Sequence, residues 1–234
     1  MYRLIFKRLF DIILSLILII ITLPIMAVLA IIIRMDGGPA IFVQKRSGEN
    51  NKVFKIFKFR SMSVNNDVHD FKKEDAITPF GQFMKDTSLD ELPQLFNILK
   101  GDMSFIGPRP WIVDYSMYFT KQQMKRLNVR PGLTGLAQCS GRNNISIKEK
   151  INFDVEYVEN LSLLMDIKVF FKTIKAVITK NGSVSSKLAI KRELEELKEQ
   201  QQLPKTGTPI NITDMVIKNQ LLNYRKNSVL NNEQ

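Results

Sequence analysis

The chain has 234 residues, with 34 Lys and Arg against 23 Asp and Glu, and a formal charge of +11 at pH 7. That length buries one core and makes a single enzymatic domain the expectation, while the charge attracts phosphates, anionic headgroups or nucleic acid without choosing among them. Cys139 is the single cysteine and His69 the single histidine, which excludes an intramolecular disulfide, a Cys/His zinc site and any Ser-His scheme that does not rest on His69.

Residues 12–33 are almost wholly apolar, broken only by Ser15, Thr22 and Pro24, and exceed the length that crosses a hydrocarbon core. The run is longer than a signal-peptide core, and Ile32-Ile33-Arg34 is no small-residue cleavage site. Arg3, Lys7 and Arg8 precede it and Arg34, Lys45 and Arg46 follow it, so the charge rule for membrane orientation gives no asymmetry. Pro24 removes a helical hydrogen bond mid-run, and the Thr22 hydroxyl is near enough to bond a freed carbonyl. Physics leaves two geometries open here, a kinked spanning helix and a re-entrant hairpin with both ends cytoplasmic.

Gly37-Gly38-Pro39 then marks a turn, and residues 40–44 and 53–59 predict a β-hairpin closed by the polar stretch 47–52. Residues 53–59 alternate apolar and basic, as a strand with one wet face does. Residues 62–76 are a charged loop that contains His69, flanked by Asp67, Asp70, Lys72 and Lys73. A helix is predicted over 92–100, ended by Gly101. Three turns follow, Gly107-Pro108-Arg109-Pro110, Arg130-Pro131-Gly132 and Ser140-Gly141-Arg142, each carrying an arginine, with a helix predicted over 115–127 between the first two. Residues 151–180 form one or two amphipathic helices, whose Lys168, Lys172, Lys175 and Lys180 suit an interfacial segment as well as a solvated face. Residues 183–234 read as a charged helix and a polar appendage without a chemical motif.

The segment richest in chemistry is Thr87-Ser88-Leu89-Asp90-Glu91-Leu92-Pro93-Gln94. Ser88 and Glu91 have the spacing of a capping box, and acids in a first helical turn complement the helix dipole, so structure alone accounts for them. A catalytic reading gains weight from the arginine turns. A carboxylate attacking a phosphoanhydride needs cations to neutralise phosphate and developing charge. Arg109, braced by two prolines, is a guanidinium on a stiff backbone, and Arg130 and Arg142 stand beside glycines. An aspartate that accepts the phosphoryl group splits the transfer into two steps, which suits one substrate from water and one from lipid. A magnesium ion held by Asp90, Glu91 and a diphosphate would lower the repulsion.

These residues carry a resemblance. Lys7-Arg8-Leu9-Phe10-Asp11, Phe42-Val43-Gln44-Lys45-Arg46-Ser47-Gly48, Phe57-Lys58-Phe59-Arg60-Ser61-Met62, Ser88-Leu89-Asp90-Glu91-Leu92, the run from Gly101 to Pro110, Arg130-Pro131-Gly132-Leu133-Thr134-Gly135 and Gly141-Arg142-Asn143 are similar to the ordered blocks of the monotopic phosphoglycosyl transferases, the bacterial sugar transferase family, up to about residue 182. The resemblance implies an α+β, mostly helical fold: a re-entrant membrane helix over 1–36 broken at Pro24, then a cytoplasmic catalytic domain over 37–182 with a small hairpin and amphipathic interfacial helices, followed by an extension over 183–234. It implies a bacterial inner-membrane enzyme that moves a sugar 1-phosphate from a UDP-sugar to undecaprenyl phosphate, with UMP as first product and Mg2+ as cofactor. Asp90 matches the family's nucleophile and Glu91 its partner acid, both also the metal candidates. Arg109 matches the phosphate-binding arginine, and Asp166 an acid near nucleotide or metal. Lys85 stands where arginine is usual, and Leu23 replaces the serine before the proline. Arg130 and Arg142 are further substrate-binding candidates.

The implied partners are a UDP-sugar, undecaprenyl phosphate and membrane lipids, without nucleic acid, and a homodimer stays open. Gly141-Arg142-Asn143 favours an N-acetylated UDP-sugar, with UDP-galactose and UDP-glucose also open. Two rival functions remain, a membrane-tethered anion-binding scaffold without turnover and a UDP-sugar hydrolase.

Overall fold

The computed structural model describes residues 2–62, 77–113, 116, 119–141 and 145–179. The loop that holds His69, the residue Arg142 and the extension from 183 onward lie outside them. Helices dominate, joined by a two-stranded antiparallel sheet and a two-stranded parallel one.

Helix α1, Lys7–Met35, is long and apolar enough to cross a membrane. At about 1.5 Å per residue it would reach roughly 44 Å, beyond the roughly 30 Å of a hydrocarbon core. Helical structure continues through Pro24. The carbonyl that a proline at 24 frees belongs to Ile20, four residues back, but the Thr22 hydroxyl bonds Leu18 O at 2.7 Å, so the expected rescue of the freed group is not the contact made. One stripe of α1 is buried: Lys7, Asp11, Ser15 and Ile19 at four-residue intervals, then Met26, Leu29 and Ile33. Elsewhere the helix exposes large apolar side chains such as Phe10, Ile20 and Ile31.

The polar half of that stripe is partnered, as buried charge must be. Lys7 Nζ donates to Asp166 Oδ2 at 2.6 Å, and Asp11 Oδ1 accepts from Ser104 Oγ at 3.0 Å and from Phe105 N at 3.1 Å. Arg8 donates to the carbonyls of Ile98 and Leu99 at 2.7 and 2.8 Å. These contacts dock α1 on the rest of the fold at its N-terminal end.

The hairpin forms as the alternation predicts: β1, Ile41–Ser47, pairs antiparallel with β2, Val53–Phe59, with Val43 opposite Phe57. Phe54 and Ile56 face inward and join Ile19, Leu95, Ile98 and Met103 in one apolar cluster, while Phe59 joins Met26, Leu29, Ile33, Ala40 and Met84 in a second. Ile98 is completely buried, and truncating such a residue to alanine costs roughly 2–5 kcal/mol.

Helix α2, Pro79–Thr87, opens on Thr78, whose hydroxyl accepts from Gly81 N at 2.9 Å. Helix α3, Gln94–Lys100, ends at Gly101, whose φ of 101° is open to glycine without strain. A parallel pair that the sequence did not signal follows, β3, Ser104–Ile106, beside β4, Gly132–Thr134. Backbones meet so closely there that a Cβ on Gly132 would lie 2.1 Å from Gly107 N. Between the two strands the described residues of the expected helix over 115–127 hold α4, Lys121–Met124, and a 3₁₀ turn, Lys125–Asn128. Its Arg126 and Leu127 are buried rather than facing a membrane surface. After the short α5, Leu136–Ser140, the amphipathic stretch divides into two helices, α6, Ile147–Glu159, and α7, Leu163–Ile178. Helix α7 buries Asp166 and Val169, and its exposed side carries Leu164, Phe170, Phe171 and Val177 together with Lys168 and Lys175.

Candidate active site

Asp90 and Glu91 sit in a 3₁₀ turn, Leu89–Glu91, between α2 and α3. The capping box expected of Ser88 and Glu91 does not form. Ser88 adopts φ 58° and ψ 19°, in the left-handed region, and its side chain makes no capping bond. This left-handed residue ends α2, its N–H reaching Lys85 O, and redirects the chain into the turn. Asp90 is thereby carried inward to 8% exposure.

Glu91, released from capping, binds two cations through one oxygen. Lys58 Nζ donates to Glu91 Oε1 at 2.6 Å and Arg109 Nη2 at 3.2 Å. Burial pushes the Glu91 carboxyl up, but Arg109 and Lys58 outweigh it and hold the group at about 2. The glutamate is therefore ionised throughout the working range. Burial raises Asp90 above the usual aspartate range, with Lys58 opposing the shift and Glu91 adding to it. Burial lowers Lys58 against the pull of Glu91, and Glu91 raises Arg109, which stays charged. Lys85, on α2, is a further cation close enough to favour the Asp90 carboxylate.

Arg109 is half exposed at its side chain but firmly held at its backbone. Its carbonyl accepts from Arg126 Nη2 at 2.7 Å, and the carbonyl of Pro110 accepts from Arg46 Nη1 at 3.3 Å. Arg126 is itself only 1% exposed. Its Nε and Nη2 both donate to Asp154 Oδ2, at 3.0 and 2.7 Å, and its guanidinium carbon lies 5.0 Å from the Trp111 ring centre and 5.4 Å from that of Phe119. A planar fork stacked on aromatic rings and held by two N–H groups on one carboxylate oxygen loses little further entropy in holding the loop.

The remaining candidates lie in other contacts. Arg130 Nε is 3.7 Å from Glu49 Oε2 in the hairpin turn, where Arg3 also binds Glu49. The Asp166 carboxylate is taken by Lys7 and Tyr2 on one oxygen and by Tyr157, at 2.6 Å, on the other. The structure thus brings together Asp90, Glu91, Arg109 and Lys85 but gives Asp166 and Arg130 to the clasps that hold the N-terminal end of the chain.

Lys58 is the functional residue that strand reading misplaced. Its side chain is 18% exposed and pairs with Glu91, where a wet face was expected. Parity holds the signal: positions 54, 56 and 58 share one face of β2, so a lysine at 58 follows Phe54 and Ile56 inward. Arg126 and Asp154 were also missed, each looking like an ordinary solvated charge in a polar run.

As a magnesium site, the turn offers two adjacent carboxylates, Asp90 and Glu91. Among the described residues there is no group of three or more candidate ligands. That donor set fits an ion that keeps waters and takes one or two carboxylates together with substrate phosphates, and does not fit an all-protein cage.

This chain belongs to the bacterial sugar transferase family, whose model matches residues 2–180. It is 42% identical over 196 residues to the undecaprenyl-phosphate galactose phosphotransferase of Salmonella typhimurium, covering 76% of this chain and 41% of that protein. To the UDP-glucose:undecaprenyl-phosphate glucose-1-phosphate transferase of Klebsiella pneumoniae it is 41% identical over 194 residues, 77% of this chain and 42% of the relative. The chain therefore spans about two fifths of the length of these longer relatives. It matches 90% of a shorter one, the uncharacterized sugar transferase EpsL of Bacillus subtilis, at 40% identity over 181 residues and 76% of this chain.

Proposed function

We propose that the chain transfers a sugar 1-phosphate from a UDP-sugar to undecaprenyl phosphate, with Asp90 as the covalent centre. The observation that carries this reading is a buried aspartate beside a glutamate that gathers Lys58 and Arg109. In the first step an Asp90 oxygen attacks the sugar-bearing phosphorus, the bond to the bridging oxygen breaks, and UMP leaves with that oxygen. In the second a phosphate oxygen of the lipid attacks the same phosphorus, the Asp90 carboxylate departs, and a lipid diphosphate sugar results. Lys58 and Arg109 neutralise the phosphate oxygens in both steps, where positioned charge is most effective. Glu91 holds these cations in place. A magnesium ion bound by Asp90, Glu91 and the diphosphate would supply further charge neutralisation.

The exposed apolar surfaces of α1 and α7 support a site at a bilayer surface. Under this reading α1 re-enters at Pro24, α7 lies in the interface and the catalytic residues face the cytoplasm. The names of the relatives, which mention galactose and UDP-glucose, favour UDP-galactose and UDP-glucose as donors, with N-acetylated UDP-sugars beside them. The test is full-length protein in detergent with magnesium, undecaprenyl phosphate and a panel of UDP-sugars, assayed for UMP. One donor should release UMP only when the lipid is present in turnover amounts, and Asp90→Asn should reduce release by about a thousandfold or more. Full activity in that variant overturns the assignment, and multiple turnovers without lipid would make the protein a hydrolase.

A further inference from the structure

The site draws its groups from separate pieces of chain. Asp90 and Glu91 belong to a helical stretch that runs on through Leu92 and Pro93, both with helical dihedrals, into α3, whereas Lys58 belongs to β2. Lys58 can meet Glu91 at 2.6 Å only if α3 lies at one place along the strand. Ile56 packs with Leu95 and Ile98 of α3, but apolar contact is non-directional and does not by itself fix that place.

Asn97 supplies the directional contact. It is completely buried, and its side chain reaches the edge of β2, a strand with β1 on one side and, among the described residues, no strand on the other. Asn97 Oδ1 accepts from Phe57 N at 3.0 Å, and Asn97 Nδ2 donates to Lys55 O at 2.7 Å. One carboxamide thus satisfies the backbone groups on either side of Ile56, as a neighbouring strand would. Asp102 Oδ2 lies 3.4 Å from the same Nδ2, which suits the amide nitrogen, and not its oxygen, on that side. The Asn97 carbonyl accepts from Asp102 N at 3.0 Å and from Gly101 N at 3.1 Å, so the residue is held at both ends. Six residues of helix separate this anchor from Glu91, about 9 Å of axis, and Lys58 stands two residues beyond Ile56 on the same face of β2.

We propose that Asn97 is a positioning residue for the transfer: its carboxamide fixes where α3 lies along β2 and so holds Lys58 at Glu91. The assignment rests on the transfer reading for what that pair does, and on the hydrogen bonds for how it is held. Full-length protein in detergent, without substrate, is pulsed with acetic anhydride, and the acetylation of each lysine is read by mass spectrometry. Asn97→Ser, whose hydroxyl is too short to span both backbone groups, should raise acetylation of Lys58, because an amine released from Glu91 gives up its proton more readily. The rise should be about fivefold, the scale on which one ion pair holds a proton. Lys7, equally buried in its pair with Asp166, should keep its wild-type rate. Asn97→Asp keeps the acceptor for Phe57 N but loses the donor to Lys55 O and sets a second carboxylate beside Asp102, and should act like Asn97→Ser. In a Glu91→Gln background, where Lys58 has no charge to lose, Asn97→Ser should add nothing. Where UMP is released, Asn97→Ser should lower kcat about tenfold, the scale of a small misplacement of a positioned group, and should cost nothing further in a Lys58→Met background, since coupled residues are not additive. An unchanged Lys58 rate, a parallel rise at Lys7, additive losses with Lys58→Met, or failure of both Asn97 variants to fold overturns the proposal, the last two because the amide would then serve the fold and not the pair. UMP release with Lys58 acetylation unmoved defeats the positioning role alone; the expected acetylation in protein that releases no UMP from any donor defeats the transfer reading alone.

Discussion

Ser88 to Glu91 and Ser146 to Glu149 share one Ser-x-x-Glu spacing, and the chain uses it in two ways. At α6 the box closes: Ser146 Oγ accepts from Glu149 N at 3.2 Å, and Glu149 Oε2 accepts from Ser146 N at 2.8 Å. At the turn before α3 it does not, because a left-handed Ser88 points the backbone away from capping geometry and two cations draw Glu91 outward from the helix end. A glutamate spent on its own helix terminus is unavailable for chemistry. One left unspent, in a pocket that also buries an aspartate, is available.

The contrast breaks most visibly at the two glutamates. Glu91→Gln should lower the rate of UMP release about a hundredfold or more, because Lys58 and Arg109 lose the charge that sets their position. Glu149→Gln should leave that rate at the wild-type level. Equal losses from the two would show that both are structural caps. Next in size is Arg109→Lys, which keeps a charge but not the planar fork, and is expected to reduce kcat roughly tenfold to a hundredfold. Arg130→Lys, paired with Glu49 outside the site, should change kcat far less in the same assay.

Much of the scaffold was legible before the structure because its signals are local. Alternation in 53–59 marked β2, Gly101 marked the end of α3, and an apolar run longer than twenty residues marked α1. The three-residue strands β3 and β4 carry no periodic signal of their own. They exist because Gly107, Gly132 and Gly135 let two loops approach within backbone contact. In the site, Asp90, Glu91 and Arg109 were legible from residue type and turn stiffness. Arg126 was not, since a basic residue in the run Lys121–Arg126 reads as solvated until Trp111, Phe119 and Asp154 are seen to enclose it. Asp166, to which the resemblance gives a place near nucleotide or metal, has its oxygens bound by Lys7, Tyr2 and Tyr157, contacts between distant elements that no local pattern signals.

A smaller effect sharpens the electrostatic half of the contrast. Asp90 attacks as a carboxylate, so activity falls as pH drops through its raised pKa, while Glu91, held at about 2, stays ionised across the same range. The acid limb of kcat/KM therefore reports Asp90. Lys58 is the cation that most restrains the rise of Asp90. Lys58→Met should move the acid limb of the residual activity to higher pH. A limb that stays in place, or moves to lower pH, would show that Lys58 does not act on the nucleophile's charge.

The smallest expected effect tests the serines directly. Ser146→Ala removes a bonded cap and should cost about 1 kcal/mol in thermal unfolding of the detergent-solubilised protein. Ser88 makes no capping bond, so Ser88→Ala should cost only about 0.3 kcal/mol, the scale of an ordinary side-chain change. Ser88→Gly should be neutral or stabilising by up to about 1 kcal/mol, because glycine relieves the left-handed strain while giving back some of that gain as chain entropy. If Ser88→Ala proves as costly as Ser146→Ala, the serine caps α3 in solution and Glu91 reverts to a helix-end residue. If glycine is tolerated and alanine nearly so, the turn's role is to aim Asp90 inward, with the left-handed backbone at 88 as the element that does it.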